Sequence, residues 1–225
     1  MTRWQVDKQF GDAVSLFRTA SYGLSESRIT FCQVSRPALV LGSTQKSSTL
    51  CWEEIIASGL QVVRRKSGGG GVLIIPDQQV WVEVWVPRGN SLWQEDILKA
   101  VAWLGSAWAY SLIDLGMTKV SIHRGRMIRT HWSEQICFAG LGPGEVSIDG
   151  GKTVGIAQRR TREGTMFECS ALLHFDPGKT ASLMIPEEED RREVLAYLEK
   201  RVRPAGPGIT PKDLEESFVN QITKL

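Results

Sequence analysis

Residues 64–72, Arg64-Arg65-Lys66-Ser67-Gly68-Gly69-Gly70-Gly71-Val72, decide how this chain is read. The extended segment from Gln61 to Arg65 runs into a loop with almost no side-chain bulk, so its backbone N–H groups can approach an anion closely. Three cationic side chains flank the glycines, and an arginine can fork onto a phosphate or carboxylate. No Gly-Lys-Ser/Thr follows, so this is not a P-loop, nor does it have the spacing of a dinucleotide fingerprint. The plain alternative is a flexible turn with a solvated basic edge. A central position between two apolar strands is an odd place for a passive linker.

A second stretch carries chemistry of its own. Lys152 sits among Gly151, Thr153, Gly155 and Ala157, and small residues on both sides let a ligand lie against the backbone. A lysine there can neutralise a carboxylate or phosphate that gains charge during reaction. An exposed hairpin lysine is the commoner case.

Around these stretches the pattern predicts strands at 29–35, 38–42, 61–65 and 169–176. It predicts helices at 9–22 (with Phe10, Ala13, Val14 and Phe17 inward) and at 52–58. Val80, Val82, Val84 and Val86 alternate with Trp81, Glu83 and Trp85, a clean strand period. Ser91 and Gln94 have capping-box spacing, opening a helix that carries Ile97, Leu98, Val101, Leu104, Trp108 and Leu112 inward. Cys137–Ala139, Glu145–Ile148 and Lys152–Gln158 read as a meander, the last turn being Asp149-Gly150-Gly151. Helices close the chain at 188–201 and from Thr210, with Pro211 at its first position. Strands and helices mix without strict alternation, which predicts an α+β fold with a mixed, largely antiparallel sheet. Residues 1–185 read as one catalytic domain. Residues 186–225 read as helices packed on or extending it, with no separate accessory domain.

The 225 residues, 42% hydrophobic, suffice for one real core. The 27 Lys and Arg against 25 Asp and Glu leave a net charge of only +2, which points to neither nucleic acid nor membrane. No apolar run approaches the roughly 20 residues needed to span a bilayer. The four cysteines, Cys32, Cys51, Cys137 and Cys169, form no CxxC pair. The chain reads as cytoplasmic with reduced thiols. His123, His131 and His174 have no metal-ligand spacing.

Taken together, the two stretches closely resemble the lipoate–protein ligase and octanoyltransferase family, relatives of biotin–protein ligase. Arg64–Val72 matches its Arg-Arg-x-Ser-Gly-Gly-Gly-Ala-Val signature, with Gly71 in place of alanine. Gly150, Lys152, Gly155 and Ala157 match its Gly-x-Lys-x-x-Gly-x-Ala. Pro37–Gln45 resembles its early Pro-x-Val-Val-x-Gly-x-x-Gln strand, and Cys137-Phe138 with Glu145 a Cys-Phe…Glu stretch before the lysine. The resemblance covers about residues 10–180. It implies a central mixed sheet flanked by helices, like the class II aminoacyl-tRNA synthetase core. It also implies that Arg65, Ser67, Gly68, Gly69, Gly70, Gly71, Val72 and Leu73, with Gly155 and Ala157, bind the cofactor. Lys152 would hold the acyl carboxylate and stabilise charge in the transition state. Trp81 and Trp85 are candidates for the wall of the acyl tunnel, or for plain core.

Two features depart from the family. No histidine follows the glycine loop, where Leu73-Ile74-Ile75-Pro76-Asp77 stands, and Phe167-Glu168-Cys169 replaces a His-Gly pair. Three activities stay open. In the first, which the glycine loop favours slightly, ATP with Mg2+ activates lipoate and a carrier lysine attacks the adenylate. In the second, Cys137 takes octanoate from a carrier-protein thioester and hands it to a lysine; Cys169 is a weaker candidate nucleophile. In the third, the chain is a non-catalytic acyl- or cofactor-binding relative. The partners implied are lipoyl carrier domains, either the acyltransferase subunit of a 2-oxoacid dehydrogenase or the glycine cleavage H protein, with an accessory subunit as an optional third. Arg159 to Arg162 reads as a solvated hairpin edge, with docking of an acidic carrier as its alternative.

Overall fold

The computed structural model describes residues 2–19 and 22–225. Seven strands form the main sheet: β1 (Trp4–Gly11), β2 (Ser27–Val34), β6 (Gln79–Pro87), β10 (Gly164–Leu172), β9 (Gly151–Arg160), β8 (Val146–Ile148) and β7 (Val120–Ile122), in that spatial order. Only the β1–β2 pair is parallel; the other pairs are antiparallel. A second sheet sets β3 (Ala38–Leu41) between β4 (Gln61–Arg64), parallel to it, and β5 (Val72–Ile74), antiparallel. The fold is therefore α+β with a mixed, largely antiparallel sheet.

The alternation in β6 organises the packing. Val80, Val82, Val84 and Val86 point to the face covered by α3 (Ile97–Asp114) and α6 (Pro211–Ile222), where Trp108 stacks on Phe218 at 4.0 Å. Each such apolar side chain removed from water contributes about 1.5–3 kcal/mol. Trp81, Glu83 and Trp85 point the other way. Trp81 packs there with Ala13 and Leu16 of α1 (Ala13–Thr19) and with Val40 and Ile74 of the small sheet. Both faces are covered, which explains why the odd-numbered residues of a strand that reads as half-solvated are buried too.

Local chemistry sets the boundaries. The turn before β9 has positive φ at Asp149 (48°) and Gly150 (77°), the left-handed pair that tight hairpins require. Thr210 and Asp213 form a reciprocal capping box for α6, with Pro211 at its start. The helix α5 (Glu188–Arg201) spans the expected residues. Beyond it, Val202 bridges to Lys152, so this part of the chain packs directly against the site strand.

Several expectations need correction. Phe10 lies in β1, where it is 75% exposed, and the helix at 9–22 shortens to α1; residues 20–21 lie outside those described. The helix α3 is capped by Asp96, whose carboxylate accepts from the amides of Leu98 and Lys99, and not by Ser91. Ile97 and Leu98 consequently face solvent rather than the core. Cys137–Ala139 forms a single 3-10 turn, not a strand. The strand expected at 169–176 runs from Gly164 to Leu172. The helices α2 (Trp52–Ala57) and α4 (Pro177–Met184) complete the fold. The second was missed, although Asp176 followed by Pro177 is a helix-start signal.

Candidate active site

The glycine loop is held from within. Arg65 is buried, and its guanidinium donates to the carbonyls of Gly68 (2.7 Å) and Gly70 (3.0 Å). Among the described residues, the amides of Gly68, Gly69 and Gly70 have no acceptor. With its carbonyls turned inward onto a cation, the loop leaves consecutive N–H groups for an anion. The remaining groups are less free. The Gly71 amide donates to the Gln135 carbonyl at 2.7 Å. Ser67 is buried and bonds the Glu168 carboxylate, which also lies 3.9 Å from Arg65 Nε. Val72 and Leu73 belong to β5.

Close backbone approach explains two of the glycines. A Cβ on Gly42, from the Pro37–Gln45 segment, would sit 1.8 Å from the Gly69 carbonyl oxygen. One on Gly70 would sit 2.8 Å from backbone atoms of Ile136 and 2.9 Å from the Cys137 nitrogen. Gln45 bridges the same elements, its amide donating to the Gln135 carbonyl at 3.0 Å. The Gly71–Ile136 bridge is closed by the Cys137 amide, which donates to the Gly71 carbonyl at 3.0 Å. The glycine loop and the Cys137 turn are therefore one backbone assembly.

Lys152, on β9, is 3% exposed. Its ammonium donates to the carbonyls of Cys137 (2.9 Å) and Gly140 (3.0 Å), lies 2.7 Å from Glu145 Oε2 and sits 5.1 Å from the centre of the Phe138 ring. Burial works against its charge, but Glu145 and the Cys137 side overcome it, so the Lys152 pKa is raised. Glu145 is buried as well and accepts from the amides of Gly142 and Ile156. A buried ion pair with this many additional bonds fixes the Lys152 ammonium against the Cys137 turn.

Next to this turn a small apolar pocket opens between the two sheets. Cys137, Phe138, Gly155 and Ala157 border it on one side, Arg65 and Val72 on another, and Trp81 with Phe17 packed at 4.6 Å on a third. Of the expected site residues, the fold thus brings Cys137, Arg65, Val72, Gly155 and Ala157 to one cavity. Lys152 is not among its bordering residues and is joined to it only through the turn, by its bond to the Cys137 carbonyl. Trp85 points elsewhere, its indole N–H donating to the Leu24 carbonyl at 2.8 Å. Cys137 is half-buried, whereas Cys32, Cys51 and Cys169 are buried. Burial pushes the Cys169 thiol up to about 12 and the Cys32 thiol well up, which suits neither for attack.

One pair escaped the sequence reading. Glu83 of β6 and Glu168 of β10 are register partners, both buried. Burial, then the neighbouring Glu168 charge, pushes Glu83 up to about 8. Burial also raises Glu168, against the Ser67 hydrogen bond and Arg65. Their alternation with Trp81 and Trp85 was visible; that the face opposite the valines is also covered was not. The Arg159–Arg162 run is more engaged than a solvated edge, since Arg159 lies 5.5 Å over the Tyr22 ring and Arg160 5.2 Å over Trp93. Among the described residues no cluster of metal-ligating side chains occurs, and no helix is long and apolar enough to cross a membrane.

Comparison with known proteins places these features in context. Residues 12–223 match the family model of the lipoyl protein ligase A/B catalytic domain. The octanoyltransferase LipM of Macrococcus caseolyticus (strain JCSC5402) is 25% identical over 220 residues, 93% of this chain and 79% of that protein. The fold is similar to that of a bi-partite lipoate protein ligase of Thermoplasma acidophilum, solved in a study of that ligase and its E2 lipoyl domain (TM-score 0.77, 15% identity, 100% of this chain and 84% of that one). It is also similar to a lipoate-protein ligase A bound with ATP (TM-score 0.62, 15% identity, 99% and 94%).

Proposed function

We propose that this chain, which belongs to the lipoyl protein ligase A/B catalytic-domain family, transfers octanoate from a thioester donor to a lysine of a lipoyl carrier domain through a thioester on Cys137. The observation that carries this reading is the pairing of Cys137 with Lys152. The half-buried thiol borders an apolar pocket suited to an acyl chain, and a fixed buried cation bonds the same residue's carbonyl. The similarity to an octanoyltransferase supports it.

The chemistry follows from these groups. The Cys137 thiolate attacks the donor's carbonyl carbon, and the donor thiol leaves as the C–S bond breaks. The neutral ε-amine of the carrier lysine then attacks the Cys137 thioester, forming an amide and returning the thiolate, and the proton the nitrogen sheds passes to solvent, balancing the one the released donor thiolate takes up. The Lys152 ammonium, held on the Cys137 carbonyl, puts a cation beside the turn where negative charge develops during transfer. The unpaired amides of Gly68, Gly69 and Gly70 are available for charge that develops on the carbonyl oxygen.

A ligase reading remains the second, because those same amides fit a phosphate as well as an oxyanion. ATP and Mg2+ would then be needed, with lipoate as substrate and an accessory subunit as an optional partner. Arg65 is occupied with its own loop, which weighs against its use on a phosphate. The carrier under either reading is a lipoyl domain, of a 2-oxoacid dehydrogenase or of the glycine cleavage H protein type.

Intact mass spectrometry tests the reading. The chain incubated with an octanoyl thioester and no ATP is expected to gain one octanoyl group, lost on adding an apo lipoyl domain and absent in Cys137→Ser. Octanoylation of the lipoyl domain by the Cys137→Ser variant would refute the thioester route. Lipoylation requiring ATP would establish the ligase.

A further inference from the structure

The pocket beside Cys137 is apolar over most of its wall, but its floor on the main sheet is not. β10 sends alternate side chains toward it. Glu168 lies opposite Glu83 of β6 and Ala157 of β9, and Ser170 lies opposite Trp81 and Gly155. Glu168 and Ser170 both border the pocket, and so do Gly155 and Ala157, which have too little bulk to cover their polar neighbours. Arg65 reaches the same space from the glycine loop.

Two polar atoms of this lining are unpaired. Ser170 Oγ is buried and has no hydrogen-bond partner among the described residues. The same holds for Arg65 Nε, in a side chain that is 6% exposed and whose Nη2 is used on the carbonyls of Gly68 and Gly70. Glu168 Oε2 lies 3.9 Å from that Nε, beyond hydrogen-bond reach. A buried donor left without an acceptor carries the full desolvation cost of the group. A pocket filled only with hydrocarbon would leave both donors in that condition.

The charges around the two donors restrict what can pair them. A carboxylate on the acyl chain would meet Glu168 and an ammonium would meet Arg65, so the site selects against both signs. A hydroxyl satisfies all three groups, since its oxygen accepts from Arg65 Nε and Ser170 Oγ and its proton goes to the Glu168 carboxyl. We propose that the acyl group taken up beside Cys137 is a hydroxylated medium chain, held by its hydroxyl at Arg65 and Ser170, and that unsubstituted octanoate is the poorer substrate. The transfer step rests on the Cys137 reading; the selectivity rests on the pocket alone.

The test compares turnover of octanoyl-N-acetylcysteamine thioester by the full chain with turnover of its monohydroxy isomers. Binding of the corresponding free acids is measured by calorimetry. One isomer is expected to exceed octanoyl by about tenfold or more in kcat/KM, and its acid to bind more tightly by a similar factor, because a site built to pair a hydroxyl discriminates against the chain that lacks one. Ser170→Ala should reduce that preference to about twofold in both measurements, while Ser170→Thr, which keeps the hydroxyl, should retain most of it. Octanoyl turnover equal to or above that of every isomer would overturn the proposal, as would a preference that survives in Ser170→Ala. If the parent chain turns over none of the thioesters, the Cys137 reading fails and the free acids decide the selectivity. A hydroxy-acid preference that Ser170→Ala abolishes would then uphold it, and equal binding of all the acids would overturn it.

Discussion

Replacing Glu83 by glutamine should make the protein more stable, increasingly so as pH rises. Glu83 and Glu168 face each other inside the protein, and two such carboxyls cannot both ionise cheaply. Glu168 has Ser67 and Arg65 to support its charge; Glu83 Oε1 has no partner. Glu83 therefore keeps the proton, with a pKa of about 8 against an ordinary 4.5. A folded-state pKa raised this way means the native state binds more protons than the unfolded one between those two values. Stability then falls as pH climbs from about 4.5 to about 8 and is level outside that window. At about 1.4 kcal/mol per unit, the loss attributable to Glu83 is about 3 kcal/mol by pH 7 and about 4–5 kcal/mol by pH 8. Glutamine keeps the shape and cannot ionise, so Glu83→Gln should match the parent near pH 4.5 and exceed it by about 3–5 kcal/mol at pH 8. Urea unfolding of both proteins across this range measures the difference directly, since all other carboxylates are shared. A difference that does not grow with pH, or a variant less stable than the parent at pH 8, would refute the shared-proton account.

Two further outcomes concern the reacting groups. Lys152→Met should reduce acyl transfer by about 10²–10³-fold, a typical loss for a charge-stabilising group. It should also destabilise the fold by about 3–5 kcal/mol by stranding the Glu145 carboxylate; adding Glu145→Gln should recover much of the stability and none of the transfer, as read by urea unfolding and steady-state rates. Gly70→Ala should force the loop away from Ile136 and Cys137, costing about 1–3 kcal/mol of stability as an overpacking change and slowing the alkylation of Cys137 by iodoacetamide; unchanged alkylation would mean that the loop does not position the thiol.

Much of the fold was legible because its signals are local. Asp149-Gly150, Thr210-Pro211 and the β6 alternation each determine their own geometry from a few adjacent residues. Ser91 and Gln94 had the right spacing for a cap, yet Asp96 won because its carboxylate reaches two amides of the actual first turn. The site was legible in its members but not in their relations. Cys137 and Lys152 could be named from residue type and resemblance. That Arg65 would turn inward onto loop carbonyls, or that Lys152 would bond the Cys137 carbonyl, depends on segments that meet only in three dimensions. The Glu83–Glu168 pair was hidden for the same reason, since cross-strand register is not written in either strand alone.

The Gly71–Ile136 bridge joins segments that the chain synthesises far apart, and it sits beside Cys137 and the lysine that bonds its carbonyl. Until that contact and the β9 strand have formed, Cys137 is an ordinary cysteine on a short apolar segment, with Lys152 free in water. The proposed site is thus acquired with the native topology rather than with the residues themselves. A nascent or partly unfolded copy would carry the same thiol without the pocket and the bonded turn that the native fold builds around it.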